Sequence, residues 1–165
     1  MIHIRKIILI QAFLYGLIAF SHADEEIKKI KQVIKMYNRT IVEEAKTDRH
    51  RDIRTFVKMM EDIATEKVAK KLYIWIQSWH ENGLFMDSQI KKIKFLNISI
   101  NKKSAKAVTE EYWSYKYFDR RINKIVKPET DIFYKVEYSL IKKDNRWLIS
   151  KIKVLEEKQN QEGKK

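Results

Sequence analysis

The sequence predicts an α+β fold: three helices packed in a strongly curved four-stranded antiparallel sheet. Three observations carry that prediction. Up to Gly83, apolar residues recur at steps of three and four, the helical period. Beyond Gly83 the period falls to two and stays there. The change happens once, so helices and strands are segregated along the chain rather than alternating. The 165 residues suit one domain with a real core, and 44% hydrophobic with 12% aromatic residues rules against disorder in its body. Only 3 Gly and 1 Pro are present, which implies long regular elements joined by tight polar turns. The absence of cysteine excludes a disulfide, a cysteine nucleophile, a thiolate metal site and a lipid on an N-terminal cysteine.

Residues 1–23 have the layout of a secretory signal peptide. Arg5 and Lys6 precede an apolar run over residues 7–20, then Ser21-His22-Ala23 places small residues at −3 and −1. The apolar run makes roughly 21 Å of helix, short of the ~30 Å hydrocarbon core. Cleavage would leave a domain over residues 24–156 and a charged tail over 157–165, outside the cytoplasm, either periplasmic or secreted. An uncleaved N-terminal anchor facing outside is the alternative.

Residues 24–46 read as an amphipathic helix with Ile27, Ile30, Ile34, Tyr37 and Ile41 on one stripe, and with Asp24, Glu25 and Glu26 placed to suit the helix dipole. Residues 52–61 form a second helix with Ile53, Phe56, Val57 and Met60 inward. The third spans residues 65–80, with Thr65 as N-cap and Val68, Leu72, Trp75, Ile76 and Trp79 inward. Gly83 suits the left-handed position beyond its end. In the first strand the apolar parity switches between Phe95 and Leu96, which predicts a bulge. Residues 104–118 form the central strand, with Ala105, Ala107, Thr109, Glu111, Trp113, Tyr115 and Tyr117 on one face. Residues 119–131, with Pro128, read as a long connection. The last two strands cover residues 132–141 and 146–155, joined by a polar turn. The inner face should match Ile132, Tyr134, Val136, Tyr138 and Leu140 to the face that carries Glu111.

This order of elements, closed by the hairpin YKVEYSLIKKDNRWLISKIKV, resembles the nuclear-transport-factor-two-like superfamily over residues 24–156. In that hairpin a polar turn precedes Trp147 and then the aliphatics Ile149, Ile152 and Val154. The resemblance implies a cone: a curved sheet wrapped around helices, with a pocket at the open end. It does not fix function, because members include isomerases, dehydratases, cyclases, transport factors and non-catalytic envelope proteins. Members such as ketosteroid isomerase place a carboxylate base and tyrosine donors inside the cone. The equivalent here is Glu111, with Thr109, Trp113, Tyr115, Tyr134, Tyr138 and Trp79 as candidate ligand contacts. A dehydratase-type site wants histidines beside carboxylates. Only His50 and His80 follow the leader, and neither falls on the sheet.

Glu111 reads in two ways: as a general base for a small-molecule isomerase or lyase, or as a buried acceptor for tyrosines. Trp75 and Trp79, one turn apart, read first as core. His80, Glu81 and Asp87 lack metal-ligand spacing, so neither metal nor cofactor is expected. A net charge of +13 is spread over nearly every element, with a local excess at Arg120, Arg121, Lys124 and Lys127. An exported chain makes nucleic acid a poor partner, and an envelope protein or anionic envelope component a better one. A small apolar ligand in the cone and a homodimer through the outer sheet face complete the expected partners. The expected function is an exported, non-catalytic binding or accessory domain of the cell envelope.

Overall fold

The computed structural model describes residues 2–47 and 51–159, with side chains from Ala23 onward. Three helices, α1 (Ile2–Lys46), α2 (Ile53–Met59) and α3 (Glu66–His80), precede four strands: β1 (Leu84–Asn101), β2 (Ser104–Asp119), β3 (Lys124–Lys143) and β4 (Arg146–Gln159). The strands form one antiparallel sheet in the order β1-β2-β3-β4. The α+β segregation expected from the period change is what the chain adopts. The α1 backbone runs as helix through the expected processing point at Ala23–Asp24, while residues 160–165 of the expected tail lie outside the described residues. Among the described residues no helix is long and apolar enough to cross a membrane.

The stripe of α1 buries Ile30, Ile34, Tyr37 and Ala45, but it also buries Glu26 and Asn38. These polar residues lie one turn before Ile30 and one turn after Ile34, so they share the buried face. In α2 and α3 the buried side chains are Phe56, Val68, Ala69, Leu72 and Ile76. Asp52 caps α2 by accepting from the Arg54 and Thr55 backbone N–H groups. Thr65 occupies the N-cap of α3 without a side-chain cap bond. Its backbone N–H instead donates to the Ile149 carbonyl at 2.9 Å, and the Ile149 N–H donates to Ile63 at 3.0 Å. The α2–α3 link thereby covers part of the outer edge of β4, which would otherwise be open to pairing.

The inner face is paired as the alternation required: Ala105 opposite Leu140, Ala107 opposite Tyr138, Thr109 opposite Val136, Glu111 opposite Tyr134 and Trp113 opposite Ile132. Small residues, Ala105 and Ala107, lie at one end of this face and aromatics, Trp113 and Tyr115, at the other. The register of β1 on β2 shifts between Ile90 and Lys92 and again between Phe95 and Asn97, where the parity switch predicted a bulge. Gly83 has φ +73, the left-handed conformation expected of it.

Two boundaries differ from the expectation. The stretch 119–131 is not a long connection: a turn over residues 120–123 leads straight into β3. Pro128 is tolerated because the ladder is interrupted there, between the pairs Tyr115–Thr130 and Tyr117–Lys127, where no N–H is required. Residues 132–134 of β3 offer partners to residues 157–159. Glu157, Lys158 and Gln159 therefore pair with Tyr134, Phe133 and Ile132 instead of fraying. On the outer face the Tyr112 and Phe133 rings meet at 5.2 Å, flanked by the Lys94–Glu110 and Lys106–Glu137 ion pairs.

Candidate functional site

A cavity of about 570 Å³ opens between α1, α3 and the inner face of the four strands. That volume lies within the range of small-molecule sites. Its walls include Ile41, Leu72, Trp113, Ile132, Val136 and Ile152, and its polar groups lie at three depths.

At the deep end Glu111, only 2% exposed, is met by three donors. Thr109 Oγ1 and Tyr138 OH donate to Oε1 at 2.8 and 2.7 Å, and Trp113 Nε1 donates to Oε2 at 3.1 Å. Thr109, Glu111 and Trp113 reach one another because alternate residues of a strand share a face. Three donors converging on one carboxyl is the arrangement a carboxylate takes when buried without a cation beside it. Burial, reinforced by the Glu111 charge, pushes the Tyr138 and Tyr37 hydroxyls well above the ordinary tyrosine range. Tyr134 moves the same way, through burial first and then the nearby Glu157. These phenols are therefore protonated donors at any physiological pH.

Asn38 stands beside this cluster, with its amide oxygen 3.2 Å from Tyr138 OH. Tyr138 has one proton and gives it to Glu111, so its lone pair suits the Asn38 N–H better than the Asn38 oxygen. Whichever end of the amide faces Tyr138, the other end lies in the cavity wall without a partner, on a residue 1% exposed. Ser88, 3% exposed and also on the wall, has an unpartnered hydroxyl. Buried polar groups in native proteins are nearly always satisfied, so two in one cavity mark where an occupant belongs.

At the mouth, Lys127 Nζ donates to Tyr115 OH at 3.0 Å and lies 4.8 Å from the centre of the Tyr115 ring and 5.8 Å from that of Tyr117. Trp79 packs on Tyr117 at 4.9 Å, and Trp75 meets Trp79 edge-on at 6.4 Å. Lys71, Glu157 and Gln159 complete the rim.

The structure places Trp79, Trp113, Tyr115, Tyr134 and Tyr138 on the wall of the cavity that Glu111 also lines, with Trp113 and Tyr138 bonded to Glu111 and Trp79 and Tyr115 at the mouth. Thr109 lies behind the carboxylate and is fully buried rather than lining the cavity. The reading of Trp75 as core is corrected: it is 41% exposed on the rim, where it meets Trp79 edge-on while Trp79 itself packs on Tyr117. The four basic residues do not form one loop. Arg120 packs over the Phe85 ring at 4.6 Å, and Arg121 is held by Asp119 at 2.7 Å. Lys124 lies exposed at the start of β3, and Lys127 belongs to the cavity mouth. His80 contacts the Ala45 carbonyl at 3.2 Å and stacks on Phe85, tying the ends of α1 and α3 together. His50 lies outside the described residues. Sequence reasoning missed Asn38 and Ser88. Asn38 was findable, since it continues the series 26, 30, 34 on the buried stripe of α1. Ser88 gave no signal.

No family model matches the chain, and no curated protein matches its sequence. Among solved structures, the intermembrane-space region of the chloroplast protein ARC6 is similar, with a TM-score of 0.65 at 12% identity, over 78% of this chain and 95% of that one. The likeness is one of fold. The cone-like α+β arrangement therefore occurs in a solved protein of nearly the same extent as this domain, with almost none of the sequence shared.

Proposed function

We propose that this chain is an exported binding domain of the cell envelope that holds a small molecule in its cavity without chemically altering it, built on the nuclear-transport-factor-two-like cone. One observation carries the reading: the carboxylate at the deep end is held by three donors from the fold, Thr109, Trp113 and Tyr138, while the cavity beside it keeps Asn38 and Ser88 unpartnered. A general base needs a lone pair open to the substrate's proton. Glu111 gives three of its roughly four acceptor sites to the fold, which makes the isomerase or lyase alternative the weaker one. Tyr37 and Tyr134, with raised pKa values, serve as donors to a ligand rather than as proton sources.

The export reading rests on the layout of residues 1–23, and the ARC6 region, itself from a space between membranes, supports it by analogy of fold alone. N-terminal sequencing of protein from an exporting host should begin near Asp24; an intact Met1 in the membrane fraction would replace export with anchoring. For the cavity, native mass spectrometry of gently purified protein should detect a bound small molecule. Val136→Trp, which places a bulky ring in the wall, should abolish that adduct. An adduct that survives the substitution would move the site elsewhere.

A further inference from the structure

The geometry points to an amphipathic organic acid as the ligand: an acidic head at Lys127 and Lys71, an apolar body along the wall, and a hydrogen-bonding group at the far end that meets Asn38. This rests on the cavity being a binding site and goes further by naming the class of molecule.

The charges around the cavity decide the head group. Lys127 is held at the mouth by the Tyr115 hydroxyl and two ring faces, and makes no ion pair among the described residues. Lys71 stands exposed on the same rim, which also carries Glu157. A cationic ligand would have to pass two ammonium groups. It would then find the one deep carboxylate already bonded to three donors. An acid gains two ammonium partners near a low-polarity wall, where charge-assisted bonds are strong.

The walls decide the body. From the rim the lining runs through Trp113 and Ile132 to the level of Glu111 and Tyr134, with Val136 and Ile152 beyond it and Leu72 on α3, which offers contact area and few hydrogen bonds. The far end is polar again, because one end of the Asn38 amide lacks a partner there. From Tyr115, which holds Lys127, to Glu111, beside Asn38, the strand advances four residues, or about 13 Å. A medium-length hydroxy acid has the spacing to satisfy both ends at once.

Three probes test this: decanoate, 1-decanol and 10-hydroxydecanoate, titrated into the protein with tryptophan fluorescence as readout. Trp75, Trp79 and Trp113 all line the cavity. The hydroxy acid should bind most tightly, decanoate several-fold more weakly, and decanol at least ten-fold more weakly than decanoate. Lys127→Met should bring decanoate and decanol together, and Asn38→Leu should bring the two acids together. Decanol binding as well as decanoate to the wild type overturns the acidic head. Equal binding of the two acids to the wild type overturns the far-end contact, and needs no variant to fold. If all three bind equally and Val136→Trp blocks them, the cavity reading stands and this inference falls. If none of the three binds, both fall.

Discussion

Replacing Glu111 with leucine is expected to destabilise the fold by about 4 kcal/mol, the upper end of what single substitutions do. The reason is what the side chain leaves behind. Thr109, Trp113 and Tyr138 each point a donor at the carboxylate, and all three are buried. A stranded buried donor costs about 1–3 kcal/mol, and leucine offers it nothing. Glu111→Gln should cost about half as much. The amide oxygen can still accept from Thr109 and Tyr138, but its NH₂ then faces the Trp113 N–H, donor against donor. Urea denaturation of both variants measures this. The sign also separates the two readings of the residue. A catalytic carboxylate held in a strained site usually gives a more stable protein when removed, so a stability gain in Glu111→Leu would revive the enzyme reading. A large loss supports a carboxylate that organises the cavity floor.

Acid should weaken the junction between α1 and the last hairpin. Burial by itself would raise the Glu26 carboxyl. Hydrogen bonds from Lys142 (2.5 Å), Trp147 (2.8 Å) and Lys29 (3.2 Å), with the Lys142 charge, outweigh it and hold the group down at about 2 against an ordinary 4.5. As pH falls, the unfolded chain therefore takes up this proton before the folded one does. The stabilisation is complete above pH 4.5, declines below it, and is gone once pH passes the folded value near 2. Converted directly, the shift amounts to at most about 3 kcal/mol. Several other carboxyls here are also lowered, so the useful quantity is the stability difference between wild type and Glu26→Gln. That difference should be about 2–3 kcal/mol at pH 7 and should fall by more than half at pH 3. A difference that does not change with pH would mean Glu26 acts through packing alone. The position matters for export as well. Glu26 lies three residues past the expected cleavage point, so the first turn of the processed domain is itself bonded to the sheet.

Local pattern determined a good deal about this protein. The single change of period at Gly83 set the α+β order. Alternation along residues 104–118 placed Glu111 among aromatics on the inner face, and the parity switch at Phe95–Leu96 located a bulge. These are properties of neighbouring residues, and a period of two or 3.6 records them directly. The stripe of α1 also carried the positions of Glu26 and Asn38, but nothing local says that a polar residue on a buried stripe has a partner. Glu26 reads as a helix-dipole acid until Lys142 and Trp147, more than a hundred residues on, are folded against it. Tertiary structure alone decided the rest. Pro128 and the charges around it look like a loop in sequence, and become strand only because the β2–β3 ladder is interrupted at that point. Trp75 follows the core period of α3, yet lies on the rim because Trp79, one turn on, takes the place against Tyr117 of the sheet. Lys127 read as one of a basic cluster, but strand pairing with Tyr117 carries it to the cavity mouth, over two aromatic rings. Side-chain spacing along a chain is fixed by its own backbone. Which polar group meets which is set by how distant strands and helices come to rest, and the chemistry of this cavity depends on that.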